Sequence, residues 1–135
     1  MLRKQNNRRS AFTLVEVMIV VVIIGLLATL ALPNFLRARK RSQATTVLED
    51  LRLLDAAKDQ YALEFNKKGT QAAGLDDLLP YIKKTTPLYT RVGKDLFGAA
   101  YIPGTVDGPT YAAADTYTAF SDLGLPTEFW AGFKP

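Results

Sequence analysis

The residue types that support most catalytic chemistry are missing from this chain. Its 135 residues include no Cys and no His. That excludes disulfides, thiolate metal sites, a Cys nucleophile, the Ser-His-Asp and Cys-His arrangements, and His-based zinc and haem sites. Carboxylates and lysines remain, but no convergent acid pair, P-loop, N-x-[ST] acceptor or EF-hand loop is visible. The chain is therefore not expected to be an enzyme. Two groups of charges could still do chemistry. Glu16 is the single charged residue among residues 12–32, a run otherwise apolar apart from Thr13, Gly25 and Thr29. A charge at the centre of a bilayer costs ~2.5–3.5 kcal/mol or more, and less near the edge, where position 16 would lie. Glu16 thus either reaches back to the interface or awaits a cationic partner. The second group is Lys67, Lys68, Lys83, Lys84, Arg91 and Lys94, which could form a local patch for phosphates. Charged loops are more often simply solvated, so nucleic acid is not the expected partner.

The elements that carry these charges follow from composition and pattern. The length suits one domain, and 48% hydrophobic with 22% charged residues suits a packed core. The net charge of +4 is not spread over the chain. Residues 1–11 hold Arg3, Lys4, Arg8 and Arg9 and no acid, while the other 13 basic residues are balanced by all 13 acids. Directly after this basic head comes the apolar run. As a helix rising ~1.5 Å per residue, residues 12–32 would span ~30 Å, the hydrocarbon thickness of a bilayer. A cleaved secretory signal fits poorly, because the run is too long and leads into Pro33-Asn-Phe-Leu-Arg without an A-x-A exit. Arg37, Arg39, Lys40 and Arg41 lie just beyond the run, so the positive-inside rule returns a near tie on orientation.

The residues Arg9-Ser-Ala-Phe-Thr-Leu-Val-Glu-Val-Met-Ile-Val-Val resemble the class III signal of type IV pilins and type II secretion pseudopilins. In that pattern a small residue, usually Gly, precedes Phe-Thr-Leu-Ile/Val-Glu and an apolar helix. The resemblance covers residues 3–41 and reaches the rest of the chain only in general organisation. It implies that prepilin peptidase cuts between Ala11 and Phe12 on the cytoplasmic side, and that the new Phe12 amine is then N-methylated. Ala11 stands where most members have Gly, and as a small residue it is expected to permit the cut. The resemblance also implies a role for Glu16, the fifth residue after the cut. It would neutralise the Phe12 ammonium of a neighbouring subunit and so set the stacking register of a filament, since a buried charge is tolerable only when paired. Gly25 and Pro33 sit where many members have a helix-loosening Gly and Pro, and Pro33 could equally just bend the helix as it leaves the membrane. Some major pseudopilins carry an Asp-rich calcium loop near the C-terminus. Here Asp107, Asp115 and Asp122 are spread apart and read better as turn-capping carboxylates. Calcium is the one candidate ligand, and no cofactor is expected.

Beyond Pro33, Val47, Leu51, Leu54, Ala57, Tyr61 and Phe65 recur at helical spacing and define one apolar face. Glu49, Asp50, Arg52, Asp55, Lys58 and Asp59 fall off that stripe and are expected in solvent. The pattern predicts one long helix over residues 12–66, kinked near Pro33 and ended by Lys67-Lys-Gly69. A short helix is expected over residues 75–81, followed by a break at Thr85-Thr-Pro87. Strand candidates follow at residues 99–102, 110–113 and 116–120. Tyr101, Tyr111 and Tyr117 would suit a half-buried pleated face. The tail Glu128-Phe-Trp-Ala-Gly-Phe133 either packs back on the core or meets a neighbouring subunit. The predicted fold is α+β and pilin-like. Its parts are a leader at 1–11, a transmembrane and assembly helix at 12–33, and a soluble domain at 34–135 in which a small antiparallel sheet covers the helix stripe.

The expected function is structural. The chain would be a subunit of a type IV pilus or type II secretion pseudopilus, polymerised through its N-terminal helix. Its expected partners are copies of itself, prepilin peptidase/methyltransferase, an inner-membrane assembly platform and, before assembly, membrane lipid. It would be a single-pass inner-membrane protein with its leader in the cytoplasm and its C-terminal domain in the periplasm. The alternative is a minor pilin that binds DNA or a surface at a filament tip.

Overall fold

The computed structural model describes residues 12–133 of the chain. Helix α1 is Leu14–Phe65, 52 residues long. Thr13 starts it: its hydroxyl accepts from the Glu16 N–H at 3.2 Å and its carbonyl from the Val17 N–H at 3.3 Å, which satisfies donors that have no partner inside the helix. The β-branched residues of the apolar run do not prevent helix formation. The chain divides between Leu36 and Arg37 into two units, each described here by itself.

In the first unit, Gly25 and Pro33 both lie within α1. Pro33 has no N–H, so the Thr29 carbonyl loses its usual donor. Side chains bond locally around this point: Thr29 Oγ1 donates to the Gly25 carbonyl at 2.8 Å, and Asn34 Nδ2 to the Leu30 carbonyl at 3.5 Å. Every large hydrophobic residue from Phe12 to Leu36 is exposed, at 47% to 80%.

The second unit is built on the remainder of α1. Ala44, Val47, Leu48, Leu51, Leu54, Ala57 and Tyr61 form its buried face. All of these but Leu48 pack with Ala73, Leu78, Ile82, Leu88, Tyr101, Ala112, Phe120 and Trp130 in one core. Each large side chain taken out of water there contributes ~1.5–3 kcal/mol. Phe65 departs from the expected stripe. It is exposed and stacks on Tyr61 with ring centroids 5.0 Å apart, because the last turn of α1 runs past the core.

The helix ends at Phe65, one residue short of the expected end at Asn66. Asn66 takes the left-handed conformation with φ 48°, and the Lys67 N–H bonds the Ala62 carbonyl at 3.0 Å, as in a Schellman cap. Gly69 serves a different purpose: a Cβ at that position would sit 1.6 Å from the Asp107 carboxylate. The expected short helix is present as α2, Leu75–Leu78, continued by a 3₁₀ turn at Leu79–Tyr81. Thr86 breaks the chain and then starts α3, Pro87–Thr90, with its hydroxyl accepting from the Tyr89 N–H at 3.4 Å and Pro87 in the first turn.

The small antiparallel sheet of the expected α+β fold is not present among the described residues. The candidates at 99–102 and 110–113 make only isolated bridges. Ile102 pairs with Tyr111 through two bonds of 2.8 Å, and Lys94 pairs with Ala100. Pro103 and Pro109 cannot donate to a ladder, and Gly104, at φ 70°, turns the chain between them. The third candidate, residues 116–120, belongs largely to α4, Ala114–Ala119. Thr116 and Phe120 are the buried positions there, four residues apart on one helical face. Loops and short helices therefore cover α1. The tail packs back: Trp130, in a 3₁₀ turn at Thr127–Trp130, is buried, with Tyr117 and Phe129 edge-on to it at 5.1 Å each.

Candidate functional site

Phe12 and Glu16 lie four residues apart, so both fall on one side of the helix start. With Val17 and Val20 they line a shallow apolar groove. The cap at Thr13 places Glu16 in the first turn of α1, where the positive end of the helix dipole favours a carboxylate. Among the described residues Glu16 has no ion-pair partner; the three pairs present are Lys40–Asp122, Lys58–Asp55 and Arg91–Asp50. Ala11 lies outside the described residues. Gly25 is exposed, with nothing within 4 Å of where its Cβ would be. Pro33, two turns further on, is exposed as well.

Two charged residues expected in solvent are instead buried in the second unit. Asp50 accepts hydrogen bonds from the Arg91 guanidinium and, at 2.9 Å, from the Tyr101 hydroxyl. Burial pushes the Asp50 carboxyl above its ordinary value, while Tyr101 and Arg91 pull it back. Burial and the neighbouring carboxylate likewise push the Tyr101 hydroxyl well up, so it stays a donor. Lys58 is completely buried. Its ammonium donates to the carbonyls of Thr105, at 3.3 Å, and Gly108, and pairs with Asp55 at 3.0 Å. It ties the loop closed by the Ile102–Tyr111 bridge to α1. The signal for both was present in the sequence. Asp50 lies four residues before Leu54, and Lys58 lies four after Leu54 and three before Tyr61, so both share the core face. Lys58→Met is expected to destabilise the fold by ~1–3 kcal/mol, because buried carbonyls lose their donor. Chemical denaturation with no change in midpoint would overturn that reading.

A second buried acid, Asp95, organises the turn that follows it. One oxygen accepts from the Phe97 and Ala99 N–H groups at 2.8 Å each, and the other from the Thr116 hydroxyl. The three acids weighed as calcium ligands do different things. Asp107 lies against Gly69, Asp115 sits in the first turn of α4, and Asp122 pairs with Lys40 at 2.6 Å. No group of three metal-binding side chains occurs among the described residues. The possible phosphate patch is also thinned. Arg91 is committed to Asp50 and to the Lys94 carbonyl, and Lys67 sits over the Tyr61 ring at 5.9 Å.

Comparison with known proteins fits this arrangement. Residues 6–32 match the family described as the prokaryotic N-terminal methylation motif. The type II secretion system core protein G of Aeromonas hydrophila is 40% identical over 75 residues, which cover 56% of this chain and 52% of the relative. The protein of the same name from Dickeya chrysanthemi is 32% identical over 105 residues, 70% of this chain and 67% of the relative. That from Escherichia coli K12 is 29% identical over 133 residues, 93% and 90% of the two chains. The match to the Aeromonas protein thus spans about half of that relative's length, and the match to the Escherichia coli protein nearly all of it. No solved structure matches.

Proposed function

Since this chain belongs to the family of type IV pilins and type II secretion pseudopilins, we propose that it is a structural, non-catalytic subunit of a type II secretion pseudopilus. The observation that carries the proposal is the first unit. A helix long and apolar enough to cross a membrane is exposed from Leu14 to Leu36, and the carboxylate in its first turn has no ion-pair partner among the described residues. Such a surface needs either lipid or other helices around it. Held in the inner membrane, the chain would be cut before Phe12 by prepilin peptidase and methylated on the new amine. The helix would then leave lipid for a bundle of like helices, with Glu16 meeting the Phe12 ammonium of a neighbour. Gly25 and Pro33 would let the helix loosen during that transfer.

Relatives that are named as core proteins do not support the reading of this chain as a tip-binding module for DNA or a surface. The mass of the protein recovered from membranes of a cell carrying prepilin peptidase tests the proposal. The expected product lacks residues 1–11 and bears one extra methyl group. A full-length mass would remove the partner amine of Glu16 and overturn the assembly mechanism.

A further inference from the structure

A cleft at the start of the second unit is separate from the groove at Phe12, and two residues of its wall, Leu123 and Leu125, also pack against the core. Arg37 and Arg41 form one wall from α1, and Leu123, Leu125 and Pro126 form the other, around about 560 Å³. That volume lies within the ~300–1,000 Å³ of ordinary small-molecule clefts. Arg37 and Arg41 are one helical turn apart, so both side chains rise from the same side of α1. Neither forms an ion pair among the described residues, because the acid beside them, Asp122, is taken by Lys40. The cleft therefore combines two guanidinium groups that have no ion pair with an apolar wall, and the one carboxylate in its lining, Asp122, is held by Lys40. A ligand that fits it is amphipathic and anionic. Guanidinium groups suit a phosphodiester in particular, since their planar fork can donate two bonds to its oxygens.

The position in the chain narrows the source. Arg37 follows directly on Leu36, the last large residue of the exposed apolar helix. Basic residues immediately beyond a membrane-spanning segment lie among lipid headgroups. We infer that Arg37 and Arg41, with Leu123, Leu125 and Pro126, bind the headgroup of an anionic phospholipid while the chain resides in the membrane. The phosphate sits between the two arginines, and the glycerol and first acyl carbons lie against the apolar wall. An acidic side chain of another subunit would use the arginines but leave that wall without a partner. The inference rests on the reading of the preceding helix as membrane-spanning.

The test uses the full chain in phosphatidylcholine nanodiscs with and without phosphatidylglycerol, and counts retained lipids by native mass spectrometry. Incorporation into the discs is read separately by co-elution, and failure at that step would strike the membrane-spanning reading itself. The wild-type chain is expected to retain phosphatidylglycerol in preference to phosphatidylcholine. R37Q/R41Q is expected to weaken that preference by about fivefold per arginine removed, and R39Q, which alters a residue outside the cleft, by clearly less. Both cleft arginines are exposed, so the double variant retains the core. Incorporation without lipid preference, or an equal effect of R39Q, would overturn the proposal. So would displacement of the lipid by inorganic phosphate, which would make this a free-phosphate site. Unchanged lipid retention in R37Q/R41Q with loss of a crosslinked dimer would assign the arginines to another subunit instead.

Discussion

Glu16→Ala is expected to leave the chain in the membrane and to reduce filament yield by two orders of magnitude or more. Insertion should not suffer, because the change removes the one charge from the apolar run and so lowers the cost of placing it in lipid. Assembly should suffer at every added subunit. In the proposed filament the Phe12 ammonium is buried among helices, and removing its carboxylate leaves an uncompensated charge. Breaking a buried pair in this way costs ~3–5 kcal/mol, equivalent to a factor of roughly 100 or more in each contact. Glu16→Gln keeps a hydrogen-bonding group without the charge, so it is expected to behave much like Glu16→Ala. Glu16→Asp keeps the charge on a shorter stem and should retain partial assembly. Membrane fractionation and electron microscopy of cells expressing the variants would measure the two effects separately. A normal filament yield from Glu16→Gln would show that the charge at position 16 does not set the register.

Arg91→Met is expected to lower the unfolding free energy of the second unit by ~3–5 kcal/mol. The side chain of Asp50 is only 5% exposed, and Arg91 is its one ion-pair partner among the described residues. Without the guanidinium the carboxylate stays buried with only the Tyr101 hydroxyl to stabilise it. Replacing the whole cluster, as Asp50→Leu, Arg91→Met and Tyr101→Phe together, should recover much of the loss, because no charge or donor is then stranded. Urea unfolding of the full chain in detergent, followed through the single Trp130, would report both variants.

The pH dependence gives the second half of this prediction. Burial already raises the folded pKa of Asp50 above its ordinary 3.8, and loss of Arg91 must raise it further. A carboxyl with a raised folded pKa is most favourable below its unfolded value, and it loses that contribution as pH rises through the folded value. The difference in stability between wild type and Arg91→Met should therefore be largest at neutral pH. It should narrow as pH falls toward 3.8, where Asp50 becomes neutral in both proteins. A pH-independent difference would mean that Arg91 acts through packing alone.

The contrast between elements shows why some features could be read from the chain and others not. The start of α1 was legible to within two residues, at 12 against Leu14, because the apolar run that forms it is a local signal. The break at Thr86-Pro87 was legible for the same reason. The strand candidates failed because short runs rich in Tyr and Thr fit a strand or a loop equally well. Whether a ladder forms depends on a second segment at the right register, and Pro103, Gly104 and Pro109 deny it one. Phe65 failed for a simpler reason. The periodicity continues to it, but the covering segments end before it.

The N-terminal segment is thus an outcome of the chain's own order. The apolar run can be read without a partner segment, since a helix in lipid satisfies its backbone without help from elsewhere, whereas the roles expected of Ala11, Phe12 and Glu16 come from the resemblance to the pilin family. Tertiary structure alone decided which partners the buried charges meet. Asp50 meets Arg91 and Tyr101 across 41 and 51 residues of chain, and Lys58 meets Thr105 and Gly108 across 47 and 50. The cleft at Arg37 and Arg41 exists only because residues 123–126 return to the start of the second unit. Such pairings join segments far apart in the chain, and helical or strand periodicity constrains only near neighbours.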